Sequence, residues 1–464
     1  MIHSENPSIA NHQDGAPAAA TEPSARHNGG GEAEGIHLII IGAGLAGLSA
    51  ALSTKLANPN HQVTILETVK ELQEVGAGLQ ITPNGTRLLH AWGLAPVLGP
   101  LAAVPSSLSV HRYDGTKLLA HEPDLQSQVL SRYSHPFWDV HRVDLQREMV
   151  SKCLSLGVTL RLGARAVDVH FASATVKLQS GELVEGDAVL LADGLWSAIR
   201  PKFLGKPSPA VLTGDLAYRI TLSADELTGP DADELREWIA NPTVHFWIGP
   251  RSHCVGYSVR AGDVYNLVFL CPDDMPLEVV KLEGSLDEMR DKFKDWDPLL
   301  VKFLAQVRGG VHKWKLMWLD ALPEWANEQG TFFMAGDCCH PMLPYLAQGA
   351  NSSLEDGAAL GHLLGKVRKP DAKRQLPRVS QVYQKLRMER GRRIQLETFR
   401  QRDDSHLEDG PEQERRDELM TSQLGKEELR APFPSRWTCP EIQPFLYGYD
   451  AYAEAEKAYQ ENPY

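Results

Sequence analysis

The sequence predicts an α/β protein in which a Rossmann-like nucleotide-binding domain is interleaved with an antiparallel-sheet domain. Three observations carry this. The β-branched run Ile36 to Ile41 leads directly into a glycine-rich turn and a leucine series at helical spacing. A later apolar run, Thr331-Phe332-Phe333, leads into a second loop rich in glycine and proline. Between about 211 and 325 the periodicity switches to two, the period of half-buried strands.

Composition narrows the function classes. The 464 residues are 42 % hydrophobic and 23 % charged, enough for two or three domains with a large core. A formal charge of −13 argues against a nucleic-acid partner, which would select a basic surface. The six cysteines are scattered and form no C-x-x-C, so a reducing, cytoplasmic setting fits better than a secreted disulfide framework. Residues 1–35 lack periodicity and predict a disordered tail, without the basic-then-apolar order of a secretory signal. Leu38 to Ala57 approaches membrane-span length, but its spaced glycines and Lys55 point elsewhere, and no membrane segment is expected.

The first element is a complete βαβ unit. Ile36 to Ile41 is the strand, and Gly42-x-Gly44-x-x-Gly47 is the turn. Leu45, Leu48, Leu52 and Leu56 mark the helix, and Val63 to Leu66 a second strand ending at Glu67. Gly42 permits the tight turn, Gly44 lets a pyrophosphate approach, and Gly47 lets helix and strand pack closely. The helix start, with Ala43 in the turn, offers N–H groups to phosphate, and Glu67 can accept from a ribose hydroxyl. NAD and FAD both fit. No second turn of this kind occurs in the chain, which favours one tightly held FAD with NADPH or NADH as a transient reductant.

The loop at 334–351 reads MAGDCCHPMLPYLAQGAN. Its residue types fit a metal site, a thiol nucleophile with its base, or a loop that works through its backbone. A metal needs more ligands than His340 and two adjacent cysteines supply. Ser352 and Glu355 form an S-x-x-E capping pattern, predicting a helix from there to about Gly365.

In the antiparallel domain, alternating runs at 216–220, 245–248, 253–260 and 264–270 predict strands, and 232–240 and 285–306 predict helices. Alternation puts Leu216, Tyr218 and Ile220 on one face and Ala217, Arg219 and Thr221 on the other. Arg219 then faces solvent, an ion pair or a site. Tyr257 shares a strand face with His253, Val255 and Val259. The basic stretch 385–402 reads as a solvated helix, with Val379, Val382, Tyr383 and Leu386 on its packed face.

Three further stretches, VGAGLQITPN at 75–84, HRVDL at 141–145 and VLLADGLWSAIR at 189–200, join the loop at 334–351. In order and spacing the chain resembles the single-component FAD-dependent aromatic hydroxylases, the p-hydroxybenzoate hydroxylase fold and its salicylate hydroxylase-like branch. The resemblance covers about 36–400. It implies that Asp193-Gly194 lies near FAD and nicotinamide, that Asp337 binds the FAD ribose or phosphate region, and that Arg142 contacts the flavin cofactor. It places Gly78, Gln80, Gly349, Ala350 and Asn351 beside the flavin, and makes Cys338 and Cys339 packing residues. Leu191 stands where the family often has glycine. Arg219 and Tyr257 align with substrate-binding residues and are the expected catalytic pair.

The resemblance further implies a monooxygenase that uses NAD(P)H and O2 to hydroxylate a phenolic, salicylate-like ring through a C4a-hydroperoxyflavin. Oxidative dearomatisation of a phenol, indole epoxidation or spirocyclisation, and a flavin oxidase or reductase are the alternatives. Expected partners are a small aromatic substrate, O2 and NAD(P)H, with the chain a monomer or homodimer. The expected organisation is a tail at 1–35, an FAD domain from 36–210 and 326–402, a substrate domain at 211–325, and a C-terminal extension at 403–464, whose role the sequence does not reveal.

Overall fold

Strand His37–Ile41 is the centre of a five-stranded parallel sheet, flanked by Ala188–Leu191 and Gln62–Leu66. Phe332–Met334 and Thr159–Arg161 form its edges. Leu38 to Ile41 are all buried, as a parallel strand covered on both faces must be. The computed structural model describes residues 35–72, 78–426 and 428–464. Apart from Gly35, the expected tail lies outside these residues, as do Val75, Gly76 and Ala77 of the 75–84 stretch.

Two helices meet face to face on this sheet. Leu45–Ala57 follows the first glycine-rich turn, and Gln348–Gly365 follows the second loop. Their approach depends on Gly357, Gly361 and Gly365, one per helical turn. A Cβ on these would lie 2.1 Å from Ser49 Oγ, 2.5 Å from Ser53 Cβ and 2.3 Å from Ala57 Cβ. Any larger residue would push the helices apart. The S-x-x-E expectation fails here. The helix begins at Gln348, one turn earlier than expected, so Ser352 lies inside it and Glu355 is fully buried.

The second sheet has eight strands. In order they are Lys281–Gly284, Val311–Trp318, Val211–Ser223, Val264–Pro272, Ser252–Val259, Thr243–Gly249, Ser107–Arg112 and Leu118–Glu122. All pairs are antiparallel except Thr243–Gly249 with Ser107–Arg112. The last two strands come from a segment that the sequence placed in the nucleotide domain, so the boundary at 210 does not describe 107–122. Leu216, Tyr218 and Ile220 pack into a core under the helices Ala232–Ala240, Leu286–Lys292 and Pro298–Gln306. The single helix expected at 285–306 is broken because Asp297 caps a new one, accepting from Leu299 N at 2.9 Å, with Pro298 at its first position.

The basic stretch needs a larger correction. It belongs to the helix Ala372–Ser405, whose arginines do not all face solvent. Arg387 and Arg390 are 0 % and 6 % exposed. Arg390 grips Glu355 with two hydrogen bonds of 2.8 and 2.7 Å, and Arg387 pairs with Glu355 at 2.8 Å and Asp356 at 2.7 Å. Asp356 also accepts from Gly336 N at 2.8 Å and contacts His340 Nε2. Burial alone would raise both carboxyl pKa values. Arg390 and Arg387 outweigh it at Glu355, while His340 and Arg387 bring Asp356 down to about 2.

Removing one member of a buried ion network strands the others, at a cost of about 3–5 kcal/mol. Glu355→Gln is expected to lose stability on that scale in urea unfolding, with the m-value unchanged. The pH dependence has a definite sign. The folded pKa of Asp356 is depressed, so its stabilisation is complete above its unfolded value of about 3.9 and is lost as pH falls. The stability gap between wild type and Asp356→Asn should close as pH approaches about 2.

Candidate active site

Two contiguous cavities lie where the parallel sheet, the helix Gln348–Gly365 and the large sheet meet. One, about 200 Å³, runs from the first glycine-rich turn past Arg142 to Asp337. The other, about 170 Å³, is walled by Arg219, Tyr257 and apolar residues of the large sheet. Leu79, Met342, Gly349 and Ala350 line both, so the first turn of the helix Gln348–Gly365 forms a common floor.

The first cavity has the features of a dinucleotide cradle. Gly42 has φ +107°, and a Cβ there would come within 2.4 Å of Ala192 O. Gly47 packs against the turn so closely that a Cβ would lie 2.1 Å from Gly42 O. Gly44 faces open space, and any side chain there would project into the cleft. Glu67, at the end of the second strand, accepts from Ala43 N at 2.8 Å and Val69 N at 3.0 Å. These bonds tie the strand end to the glycine turn.

Asp337 is exposed, but into this cleft. Burial of the surroundings raises its pKa, opposed by the charges of His340 and Arg142. Asp193 has a buried Oδ1 without a partner among the described residues and a pKa raised by burial to about 6, with Ser197 and Arg200 opposing the rise. A buried carboxylate oxygen left without a donor suits a ligand that brings one. These features fit FAD: an open glycine turn, an acid at the second strand end, an Asp193 oxygen short of a donor, and Asp337 open to the cleft.

Not every expected contact lines a cavity. Asn351 spends its side chain on backbone, accepting from Thr82 N at 3.1 Å and donating to Gln80 O at 3.1 Å and Ala347 O at 2.6 Å. It positions the floor instead of facing it. Gln80 lines the second cavity, yet its amide nitrogen is held by Asp139 at 3.0 Å. Gly78 is squeezed against Tyr257, where a Cβ would lie 2.6 Å from the ring.

The cysteines have a packing environment. Cys338 and Cys339 are buried in the main core, and burial pushes the Cys339 thiol well above its usual pKa. Cys339, His340 and Asp356 lie close enough together to present three metal ligands. Asp356 and His340 Nε2 are already committed to each other and Asp356 to Arg387.

In the second cavity, Arg219 makes no hydrogen bond or ion pair among the described residues. Burial lowers its pKa, the Tyr257 phenol opposes this and the Arg142 charge adds to it. The structural ion pair that sequence left open is therefore absent. Tyr257 is 5 % exposed, and burial raises its pKa. His253, on the strand face of Tyr257 as alternation predicts, and Trp437, which no local pattern marks, also line the cavity. His253 Nδ1 lies 2.7 Å from His406 Nε2, and burial lowers the pKa of both, that of His406 to about 3.

The cradle leads to a direct test. Gly44→Val is expected to yield folded protein without the yellow of bound flavin. Wild type should release FAD, not FMN or NAD, on denaturation, as read by chromatography.

The comparisons with known proteins agree with this geometry. Residues 36–227 match the pyridine nucleotide-disulphide oxidoreductase family and residues 323–395 the FAD binding domain family. The FAD-dependent monooxygenase OpS4 of Beauveria bassiana (strain ARSEF 2860) is 49 % identical over 92 % of this chain and 97 % of its own. The 3-hydroxybenzoate 6-hydroxylase 1 of Aquipseudomonas alcaligenes is 32 % identical over 72 % of this chain and 82 % of its own. Among solved structures, a salicylate hydroxylase substrate complex superposes with a TM-score of 0.73 at 20 % identity, covering 92 % of this chain and 98 % of that one. CtdE in complex with FAD and a substrate gives 0.76 at 21 %, covering 92 % and 98 %. With the glycine cradle, the acids Asp193 and Asp337 beside it and relatives of this closeness together, the chain belongs to the FAD-dependent monooxygenases.

Proposed function

We propose that this monooxygenase hydroxylates an anionic phenolic ring, of the hydroxybenzoate or salicylate kind, using NADPH or NADH and O2. The observation that carries the reading is Arg219, a guanidinium without a partner among the described residues, in a largely apolar cavity next to the cofactor cleft. The names of the hydroxybenzoate- and salicylate-acting relatives support it. Six buried free thiols support a reducing, cytoplasmic setting. No helix among the described residues is long and apolar enough to cross a membrane.

The Gly44 turn, Glu67, Arg142, Asp193, Asp337 and the Gly349-Ala350 floor would hold FAD. Bound there, FAD supplies reducing equivalents taken from NAD(P)H and activates O2 for transfer to carbon. The protein's own task is to bind and orient the ring and to favour its anionic form. Arg219 draws in a carboxylate or phenolate, and the apolar walls strengthen that attraction by excluding water. Tyr257, locked between Gly78 and its strand neighbours, fixes the ring's position. A phenol must lose its proton to become electron-rich. Of the titratable groups lining the cavity, Tyr257 and Tyr345 have pKa values raised by burial, and Arg219 is a cation. His253 is kept neutral by burial, with a pKa well below the usual imidazole value, so it is a weak base; the charge of Arg219 is what favours the anionic form of the ring.

Arg219→Met tests the reading, because it keeps bulk and removes charge. Loss of a charge-assisted hydrogen bond costs about 1.5–3 kcal/mol, which is roughly 10- to 150-fold in affinity. The variant should fold and hold FAD, bind substrate that much more weakly, and divert NAD(P)H into hydrogen peroxide. Product per NAD(P)H consumed, measured beside the melting temperature, decides between roles. Normal coupling with a lowered melting temperature would make Arg219 structural and remove the case for an anionic substrate.

A further inference from the structure

The C-terminal extension contributes one residue to the wall of the substrate cavity, Trp437. Its indole is 3 % exposed and packs against Phe246, with ring centroids 5.3 Å apart. Nε1–H donates to Tyr345 O at 2.9 Å, which fixes the ring's orientation. The segment behind it is fastened at several points. Gln443 Nε2 donates to Trp437 O at 2.8 Å, and Tyr133 donates to Gln443 at 2.9 Å. Arg436 pairs with Glu397 at 2.9 Å and with Asp404. An indole held in this way is a fixed wall.

The wall is also a partition. Trp437 and Phe246 line the substrate cavity and, beyond it, a much smaller one bordered by Val110, Ile248 and Met420. Removing the indole would join the two spaces and lengthen the cavity on that side. Size then becomes decisive. The substrate cavity measures about 170 Å³. An apolar cavity of about 150 Å³ admits a benzene ring, whereas pockets for drug-sized ligands run to about 300–1,000 Å³. The space therefore holds one ring with small substituents.

We propose that Trp437, delivered by the C-terminal extension, is a specificity-determining residue that restricts the substrate to single-ring hydroxyarenes. This rests on the hydroxylase reading given above, and deepens it by naming a size class and the residue that sets it. Arg219 supplies charge recognition at one part of the wall, and Trp437 sets how far the ring system can extend at another.

The test compares salicylate with 1-hydroxy-2-naphthoate, which carries the same adjacent hydroxyl and carboxylate on one ring and adds a second, fused ring. Dissociation constants are read on FAD-loaded protein from the change in flavin absorbance, without NAD(P)H. Wild type should prefer salicylate. Trp437→Ala should shift the ratio toward the naphthoate by about 10-fold or more, the usual scale for a change in apolar pocket shape. Trp437→Phe should shift it less, and carries the test if the alanine variant does not fold. Phe433→Ala removes another buried aromatic of the same extension that lies outside the substrate cavity, and should leave the ratio unchanged. An unchanged ratio in the folded Trp437 variants, an equal shift in Phe433→Ala, or wild-type preference for the naphthoate would overturn the proposal. Because binding is read without turnover, absence of hydroxylated product from either compound would defeat the hydroxylase reading alone.

Discussion

Two adjacent carboxylates, Glu355 and Asp356, sit fully buried on the helix whose first turn floors both cavities. Asp356 takes the N–H of Gly336 and the ring of His340, fixing the turn that presents Asp337 to the cofactor cleft. Glu355 takes the amide of Asn84 at 2.6 Å, and Asn84 in turn meets Gln348, which binds Thr82. That chain sets the height of strand Gly78–Ile81 beside the floor. Arg390 spans from Glu355 to the carbonyls of Phe445 and Leu446, at 2.7 and 3.2 Å. The extension that places Trp437 is thus anchored to the same two acids. Apolar residues of equal volume could match the stability of such a network. They could not reproduce its register, because hydrogen bonds are directional and these donors and acceptors meet only in this alignment.

The sequence made the βαβ cradle legible because every contact in it is local. Strand, turn, helix and acid lie within some 30 residues, as such units do, and the glycine spacing reports the backbone directly. The face carrying Arg219 was legible for a similar reason, since alternation along one strand decides it. The buried arginines were not. Arg387 and Arg390 look like solvated charges until Glu355 and Asp356 are seen 31 to 35 residues away in sequence. The helix start at Gln348 was missed because S-x-x-E resembles a cap, whereas its glutamate is an interior counter-ion. Residues 107–122 were misassigned because the strand Ser107–Arg112, which carries Leu118–Glu122 with it, joins the sheet through partners more than 100 residues downstream, at 243–248. Trp437 left no local signal at all.

The protein treats the buried Arg387 and Arg390 and the half-buried Arg219 in opposite ways, and the difference separates scaffold from site. Arg387 and Arg390 are surrounded by carboxylates that repay their desolvation. Arg219 is half-buried with no counter-ion among the described residues, beside a phenol that cannot supply one while its pKa is raised. A folded chain gains nothing from an unpaired cation in an apolar cavity, since removing it from water costs free energy and no internal partner offsets the cost. The cost is recovered only when an anion enters. That makes the empty cavity electrostatically incomplete and the charged ligand the group that completes it. The apolar walls raise the strength of that pairing, and the indole of Trp437 limits how large the entering ring can be. Charge selection and size selection therefore come from two parts of the chain that are distant in sequence, one on a sheet strand and one on the C-terminal extension. Both are held in place through elements that converge on the helix bearing Glu355 and Asp356.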